Sequence, residues 1–325
     1  MKLGIVGSGM IVNDFLRMVK DLPEIELKAI VGTKRSYDKL LVLQIEHEID
    51  SIYTDILECL ENPDVDTIYV ALPNHLHYEY TKLALEHDKH VICEKPFTLN
   101  LEQFMELKKI AISKKLVLVE AITNQYLENY QEIKESLPQL GDIKLIECNY
   151  SQYSSRYDAF KEGTILPAFD PAKGGGALMD INIYNIHFVV GLLGKPLSVN
   201  YLPNIERGID TSGVLVMDYG VTKVVCIGAK DSTAEIRSTV QGNLGSMVVV
   251  GATNEINQIE KQMLKQDKEV MNKNSHSHRM YQEFKVFNEM IETLDMKKTI
   301  EQIEHSQIVM EIVNEALTSS GIRLG

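Results

Sequence analysis

The chain has 325 residues, enough for about two domains at roughly 150 residues each. Its hydrophobic share of 44% and charged share of 24% are those of an ordinary globular protein, which excludes a disordered, collagen-like or low-complexity chain. The 33 basic and 46 acidic residues leave a net charge of −13, and such a surface repels phosphate backbones and anionic lipid, so we expect neither nucleic acid nor a membrane as partner.

Short apolar runs alternate with amphipathic stretches in the first part of the chain. We predict the runs to be strands, at residues 3–6, 27–31, 67–72, 90–93 and 116–119. They are nearly all apolar, as strands covered on both faces are. Helical spacing of apolar side chains in residues 76–86 is typical of the segments between them. This alternation predicts a doubly wound parallel sheet with helices on both faces, in a domain of residues 1–122.

A glycine-rich turn follows the first predicted strand. Glycines permit a tight turn and a close approach to a pyrophosphate, whose charge the first amides of the next helix stabilise. Val12 stands where a third glycine or alanine usually lets helix and strand pack closely, which leaves that packing open. An ordinary strand-to-helix turn is the alternative. The position at the first strand favours a nucleotide, and we assign to it Gly7, Ser8, Gly9, Met10 and Ile11.

The end of the second predicted strand bears on the choice of cofactor. NAD sites usually carry a carboxylate there for the ribose 2′-hydroxyl, whereas NADP sites carry cations and hydroxyls for the 2′-phosphate. This strand is followed by Gly32, Thr33, Lys34, Arg35 and Ser36, without a carboxylate. The pattern favours NADP, with NAD as the second choice, and we assign Thr33, Lys34 and Arg35 to cofactor binding; a solvated turn is the alternative.

Two further strand ends carry polar residues at the edge where open α/β sheets bind ligands. The residues assigned there to cofactor binding are Leu72, Pro73, Asn74, His77, Glu94 and Lys95. Pro96 biases Lys95 toward an extended backbone, which gives its side chain a defined direction. A lysine aimed into a cleft can polarise a carbonyl or lower the pKa of a neighbour.

The pattern changes beyond residue 122. Strand-like segments with few helices between them predict an antiparallel sheet in a second domain of residues 123–325. The segments are residues 144–150, 213–218, 222–227 and 246–250. Helical patterns over 279–294 and 299–318 close the chain, and residues 260–278 are expected to be irregular.

A triple glycine, Gly174-Gly175-Gly176, precedes an apolar segment with three polar side chains at helical spacing. If a helix begins near Ala177, Asp180, Tyr184 and His187 share one face. Polar groups on one stripe of a buried helix are either paired internally or face a cleft. A buried tyrosine with a satisfied hydroxyl is the alternative for Tyr184, and a satisfied helix histidine is the alternative for His187.

The segments GSGMIV, ALPNHLH, ICEKPF and GGGALMDINIY together resemble the Gfo/Idh/MocA family of oxidoreductases, over nearly the whole chain. The resemblance implies a Rossmann domain that carries NAD(P) and a C-terminal α/β domain with a large, mostly antiparallel sheet. It also implies hydride transfer on sugars, cyclic polyols or related alcohols and carbonyls. Homo-oligomers are common in the family, so we expect a dimer or tetramer.

By this resemblance Lys95, Asp180 and Tyr184 line the substrate pocket, since the family carries His or Tyr four residues after the Asp. The tyrosine form is similar to dihydrodiol dehydrogenase and glucose-fructose oxidoreductase. A nearby cation favours the phenolate, so we assign Tyr184 as acid/base, Lys95 as its electrostatic partner and Asp180 as the residue that orients Lys95 or a substrate hydroxyl. His187 and Arg156 are weaker candidates for substrate contact. Arg156 lies in residues 154–173, a loop that could cover a pocket or be a plain surface loop.

The leading interpretation is an NADP-preferring oxidoreductase acting on a sugar, cyclic polyol or diol. A nucleotide-sensing protein and an NAD-dependent glycosidase are the alternatives. The His pairs at 75/77 and 276/278 lack further ligands at zinc spacing, so we expect no metal. The cysteines are far apart in sequence and form no CxxC pair, which favours a cytoplasmic protein; they are Cys59, Cys93, Cys148 and Cys226.

Overall fold

A computed structural model of the chain describes residues 1–325. Contacts between residues divide it into two compact units. The first unit combines Met1–Ala121 with Met280–Ser306, and the second combines Ile122–Arg279 with Gln307–Gly325. The expected domains, 1–122 and 123–325, were continuous stretches, whereas in the structure residues 280–306 belong with the first unit.

The sheet of the first unit has six strands, all parallel, in the order β3-β2-β1-β4-β5-β6. The strands are β1 (Lys2–Val6), β2 (Glu26–Val31), β3 (Ser51–Tyr53), β4 (Thr67–Val70), β5 (His90–Glu94) and β6 (Leu118–Ala121). This order confirms the predicted doubly wound fold. It also places the reversal of strand order between β1 and β4, where such sheets open a crevice for ligands at their carboxyl ends.

Helices connect these strands. They are α1 (Met10–Met18), α2 (Tyr37–His47), α3 (Ile56–Leu60), α4 (His77–Glu86) and α5 (Leu101–Lys114). α1 buries Val12, Phe15, Leu16 and Met18, an apolar stripe that packs into the core. Asn100 caps α5 by accepting a hydrogen bond from the Gln103 amide, which fixes where that helix begins.

The second unit contains an eight-stranded sheet in the order β14-β13-β12-β11-β7-β10-β9-β8. All its neighbours are antiparallel except β7 and β10, which are parallel. Its helices are α6 (Glu128–Ser136), α7 (Tyr157–Lys161) and α8 (Ile183–Leu193). Its strands are β7 (Ile143–Ser151), β8 (Ser198–Glu206), β9 (Ile209–Tyr219), β10 (Thr222–Ala229), β11 (Arg237–Gly242), β12 (Gly245–Val250), β13 (Gln258–Met263) and β14 (Glu269–Met271).

Part of the stretch expected to be irregular forms strands. β13 and β14 lie within residues 258–271 and pair with β12 and with each other. In β13 only Ile259 is buried, so this strand does not need an alternation of apolar and polar residues. Backbone pairing at the edge of the sheet therefore holds a charged segment in strand conformation that its side chains do not predict.

One face of this sheet is buried and the other is open. On the buried face, Cys148 and Cys226 lie side by side on β7 and β10 as free thiols, although they are far apart in the sequence. On the open face, Val216 and Val225 pair across β9 and β10, and Ile227 pairs with Val214. Leu202 on β8 is 60% exposed on the same face. The open face thus carries an apolar centre.

The chain closes with α9 (Tyr281–Glu292) and α10 (Met296–Ser320), as the two closing helical patterns predict. Phe284 of α9 packs in the first unit against Phe15 of α1 and Tyr69 of β4, with ring centroids 4.4 and 5.1 Å away. By length and composition one helical stretch, Pro171–Leu193, could cross a membrane. Its most apolar window is 72% buried inside the structure, and a buried core helix meets the same criteria.

Candidate functional site

The turn after β1 requires its first glycine. Gly7 has a φ of 124°, which disfavours any residue with a side chain. A Cβ at this position would lie 2.3 Å from the carbonyl oxygen of Ala71, at the end of β4. Gly9 faces open space, with nothing within 4 Å of an added Cβ. Val12 is fully buried, so the core accepts valine where a third small residue was expected.

The N-terminus of α1 is open to an anion. Gly9 caps the helix without a side-chain hydrogen bond, and the first turn has no acidic residue. Helix N-terminal amides without such partners attract phosphate through their N–H groups and the helix dipole. Lys39 of α2 donates a hydrogen bond to the carbonyl oxygen of Ser8 and brings a cation to the turn. The residues present fit a pyrophosphate.

The end of β2 presents cations without a carboxylate. Ser36 accepts a hydrogen bond from the Thr33 amide at 3.0 Å and donates one to the Thr33 carbonyl at 2.9 Å, which folds the turn tightly. Lys34 and Arg35 are exposed within this turn. Lys34 and Arg35 follow β2 at the position where a dinucleotide-binding fold holds the adenosine ribose.

His77 joins the turns that follow β4 and β5. Its Nδ1 lies 2.8 Å from the Pro96 carbonyl oxygen and its Nε2 lies 2.7 Å from the Leu72 carbonyl oxygen. The side chain is fully buried, and burial lowers its pKa. A fully buried imidazole has no surface left for a cofactor. We therefore reassign His77 from cofactor contact to support of the two turns.

Carboxylates support the turn that carries Lys95. Glu94 is buried and accepts a hydrogen bond from Tyr69 at 2.5 Å. Glu120, at the end of β6, accepts from the Phe97 amide at 3.1 Å and from the Ser306 hydroxyl at 2.6 Å. Lys95 itself is half-buried at the end of β5, the ligand-binding edge of the sheet. Glu120 is one residue that the sequence interpretation missed, since a carboxylate after an apolar strand also suits a surface turn.

Asp180 and Tyr184 lie on one continuous helical segment of the second unit. The segment begins with a π-helical turn, Leu178–Asn182, which runs into α8. The predicted helix start near Ala177 is thus confirmed, with a wider first turn of the kind often found at functional sites. The Asp180 side chain is 35% exposed, and 8% of the surface of Tyr184 is exposed to solvent. His187 is fully buried and therefore has no surface with which to contact a substrate.

Asp180 has a partner that the sequence interpretation did not single out. Its Oδ2 lies 2.7 Å from Nζ of Lys230, whose side chain is only 3% exposed. The expectation that Asp180 orients Lys95 or a substrate hydroxyl stays a prediction; the structure adds a contact with a buried lysine just after β10. The sequence offers a weak signal for Lys230, a single cation directly after the buried strand residues Gly228 and Ala229.

Each glycine of the triple-glycine motif meets a backbone or side-chain requirement. Gly174 has a φ of 68° at the end of a short helical turn. A Cβ on Gly175 would lie 2.8 Å from backbone atoms of Pro167, Ala168 and Asp170, and a Cβ on Gly176 would lie 2.1 Å from Oδ1 of Asp210. The motif therefore lets the chain pass close to residues 167–170 and to Asp210 just before the helix that carries Asp180.

Asp210 fixes the start of that helix. Its Oδ2 accepts hydrogen bonds from the Leu178 amide at 2.6 Å and from the Tyr201 hydroxyl at 2.7 Å. The carboxyl is completely buried, which raises its pKa to about 6 despite these donors. Asp210 is a second residue missed at the sequence level. An aspartate at the start of a strand carries no signal for a partner in a helix that lies much earlier in the chain.

The expected loop over residues 154–173 is anchored. Phe160 of α7 stacks on Phe169 with ring centroids 4.9 Å apart, and both rings are buried. Arg207 donates to the carbonyl oxygens of Phe160 and Lys161. Arg156 precedes α7 and is half-buried. Nowhere does the structure hold a group of three or more His, Cys, Asp or Glu side chains suited to a metal ion.

Comparison with known proteins places the chain in a family. Residues 1–122 match the oxidoreductase family with an NAD-binding Rossmann fold, and residues 130–248 match the GFO/IDH/MocA C-terminal domain. The scyllo-inositol 2-dehydrogenase (NADP(+)) IolU of Bacillus subtilis is 34% identical over 251 residues, 76% of this chain and 75% of that protein. The trans-1,2-dihydrobenzene-1,2-diol dehydrogenase of Xenopus tropicalis is 28% identical over 81% of this chain and 76% of its own.

A solved structure agrees in fold. KijD10, a 3-ketoreductase from Actinomadura kijaniata in complex with TDP-benzene and NADP, superposes with a TM-score of 0.83 at 20% identity, over 98% of this chain and 96% of its own. At that identity the likeness is one of fold alone. With both units matched in sequence, the chain belongs to the Gfo/Idh/MocA family and is an NAD(P)-dependent oxidoreductase that acts on CH–OH groups.

Proposed function

We propose that this chain is an NADP(H)-preferring oxidoreductase that interconverts an alcohol and a carbonyl on a cyclic polyol, sugar or diol. The cationic turn after β2 carries the cofactor preference, because Lys34 and Arg35 are exposed where an NAD enzyme usually has a carboxylate. The substrate class is supported by the names of the relatives, an inositol dehydrogenase and a dihydrodiol dehydrogenase.

The residues that would hold the cofactor are those of the turns after β1 and β2. Gly9 leaves room for the pyrophosphate at the first amides of α1, and Gly7 permits the tight turn that precedes them. Lys34 and Arg35 would receive the 2′-phosphate, for which a guanidinium offers paired donors. When bound, the nicotinamide accepts or supplies the hydride of the reaction. The protein itself must then transfer one proton and stabilise the charge on the reacting oxygen.

We assign the proton to Tyr184. During alcohol oxidation its phenolate oxygen would take the hydroxyl proton of the substrate, and during carbonyl reduction its hydroxyl would return that proton. A free tyrosine titrates near pH 10, so this role needs a cation that favours the phenolate. Lys95 would supply that charge and stabilise the developing alkoxide. Asp180, with a third of its side chain exposed, would accept a hydrogen bond from a second substrate hydroxyl.

Calorimetric titration with NADPH and NADH tests the cofactor part, followed by an absorbance screen of the complex against inositols, dihydrodiols, aldoses and dicarbonyls. We expect tighter binding of NADPH and turnover within one polyol class. Tight binding without turnover on any of these compounds would overturn the proposed activity and favour a nucleotide sensor. Turnover of glycosides without net cofactor consumption would instead favour a glycosidase. Equal binding of both nucleotides would remove the NADP preference.

We further propose that the protein is a cytoplasmic homo-oligomer that assembles through the open face of the second unit's sheet. Val216, Val225 and Ile227 form the apolar centre of that face, with Leu202 beside them. Apolar patches of this kind on a sheet suit association with another copy. The four free, buried cysteines fit a reducing compartment.

A further inference from the structure

Lys230 is a buried lysine to which the proposed reaction gives no role. Burying an ammonium group is costly unless it is paired and hydrogen-bonded. Its Nζ lies 2.7 Å from Asp180 Oδ2 and donates to the Ala168 carbonyl oxygen at 2.6 Å. The same nitrogen lies 4.4 Å above the centre of the Phe169 ring, which a cation also favours. Three contacts on two different segments therefore converge on one charge.

The backbone of Lys230 is held as firmly as its side chain. Its amide donates to the Thr211 carbonyl of β9 at 2.9 Å, and its carbonyl accepts from the Ser154 amide at 2.8 Å. Ala168 is fixed as well, because its carbonyl oxygen also accepts from the Gly176 amide at 3.1 Å. The ammonium group is therefore a fixed point from which Asp180 can be oriented.

The two members of the Lys230–Asp180 ion pair differ in exposure. Asp180 keeps 35% of its side chain exposed, whereas Lys230 keeps 3%. Asp180 can thus meet a substrate, while Lys230 can act on a substrate only through Asp180. The contact with Ala168 joins the same charge to residues 164–173, the part of the anchored segment that ends at the triple glycine.

We propose that Lys230 is a positioning residue that holds the Asp180 carboxylate in one orientation and ties it to residues 164–173. This inference rests on the proposed function, in which Asp180 receives a substrate hydroxyl. If Lys230 already orients the Asp180 carboxylate, no conformational entropy is lost to orient that carboxylate when the substrate binds. A displacement of about 1 Å at a reacting group can lower the rate about 100-fold.

A double-mutant cycle of Lys230→Met, Asp180→Asn and the double variant tests the link through Asp180. We expect Lys230→Met to lower kcat/KM about 100-fold, mainly in kcat, with NADPH affinity unchanged. In the Asp180→Asn background the same substitution should change kcat/KM less than about 3-fold. Lys195→Met is the matched control, because Lys195 pairs with Glu311 at 2.6 Å on the surface of the same unit.

Equal losses from Lys230→Met in both backgrounds would overturn the proposal, because Lys230 would then act independently of Asp180, for instance through the nearby charge of Asp210. Unchanged kcat/KM would overturn it as well. Should Lys230→Met fail to fold, Lys230→Gln replaces it in the cycle, since it keeps a donor for Ala168 and removes the charge from Asp180.

Hydrogen–deuterium exchange separates this inference from the proposed function. Amides of residues 164–173 should exchange at least several-fold faster in Lys230→Met than in wild type or in Lys195→Met. This arm needs no substrate. If the wild-type protein turns over none of the screened alcohols, the proposed function fails, and unchanged exchange in Lys230→Met then overturns the tie to this segment on its own.

Discussion

Tyr184 is held at its backbone and at its ring by other residues of the second unit. Its backbone carbonyl accepts a hydrogen bond from the Asn124 side chain at 2.8 Å, and its ring lies 6.3 Å from that of Tyr150. Removing only the hydroxyl should leave this packing in place. We therefore expect Tyr184→Phe to reduce kcat by about 100- to 10,000-fold, the range of a lost acid/base group, with NADPH binding intact.

Steady-state kinetics with calorimetry check this expectation. Tyr219→Phe is the control, because Tyr219 donates to the Gly194 carbonyl at 2.9 Å in the same unit and has no assigned role in the reaction. Near-normal turnover of Tyr184→Phe would exclude the tyrosine as the proton donor and acceptor.

Arg35 offers a second test at the level of a single side chain. A hydrogen bond to a charged group contributes about 1.5–3 kcal/mol, so Arg35→Asp should weaken NADPH binding about 10- to 100-fold. NADH lacks the phosphate and should lose less than about 3-fold. Lys109→Asp, an exposed cation of α5, controls for the general change in charge. Equal losses for both nucleotides would contradict the assignment of Arg35 to the 2′-phosphate.

Individual site residues differ in how far the sequence could predict them. Asp180 and Tyr184 stand out because they interrupt a strongly apolar run, and Lys95 because a proline follows it. Lys230 and Asp210 could not be found in this way. Each acts through a partner that is distant in the chain, and only the packing of the Leu178–Asn182 turn against β9 and β10 brings each to its partner.

At the scale of elements, Asp210 joins the start of β9 to the helix that carries Asp180. Burial raises its pKa from an ordinary value of 3.8 to about 6, so the folded protein binds this proton more tightly than the unfolded chain. Its stabilising contribution is complete below about pH 4 and is lost as the pH rises through 6. The corresponding loss is on the order of 3 kcal/mol.

We therefore predict that Asp210→Asn removes this loss. Between pH 4.5 and 7, the melting temperature of the variant should rise relative to that of wild type, because a neutral amide pays no cost of charge burial. Taking the difference between the two proteins at each pH cancels the other titrating groups. A difference that stays constant across this range would mean that Asp210 does not titrate there.

Elements buried on both faces were the easiest to predict. β1, β4 and β5 are continuous apolar runs, and their pattern needs no knowledge of neighbours. β8 could not be recognised because most of its side chains are exposed, and β13 could not because only Ile259 is buried. Their conformation comes from hydrogen bonding to adjacent strands, a tertiary effect that outweighs local pattern.

At the scale of the whole molecule, the open sheet face leads to a prediction about assembly. Val225 lies at its apolar centre and pairs with Val216. Val225→Glu would bury a carboxylate in a subunit interface, so we expect the oligomer to dissociate into a smaller species at micromolar concentration. Light scattering after size exclusion measures this change.

Ile45→Glu is the control for this experiment. Ile45 on α2 of the first unit is 72% exposed, and its substitution should leave the mass unchanged. A wild-type protein that is already monomeric, or an unchanged mass of the Val225→Glu variant, would contradict assembly through this face.

The family and the two-part organisation could be predicted from the sequence, because glycine turns and apolar periodicity survive without tertiary information. The placement of residues 280–306 in the first unit could not. The periodicity of α9 records that one face is buried but not which core buries it.

The broken path of the first unit bears on how the protein emerges from the ribosome. Phe284 completes a ring cluster with Phe15 and Tyr69, yet it is translated long after them. Domains generally fold as units during synthesis, the N-terminal one first. Here the first unit cannot complete its core until nearly the entire chain has been made, and until then Phe15 and Tyr69 lack their contact with Phe284. An N-terminal fragment that stops at residue 122 would lack this contact permanently.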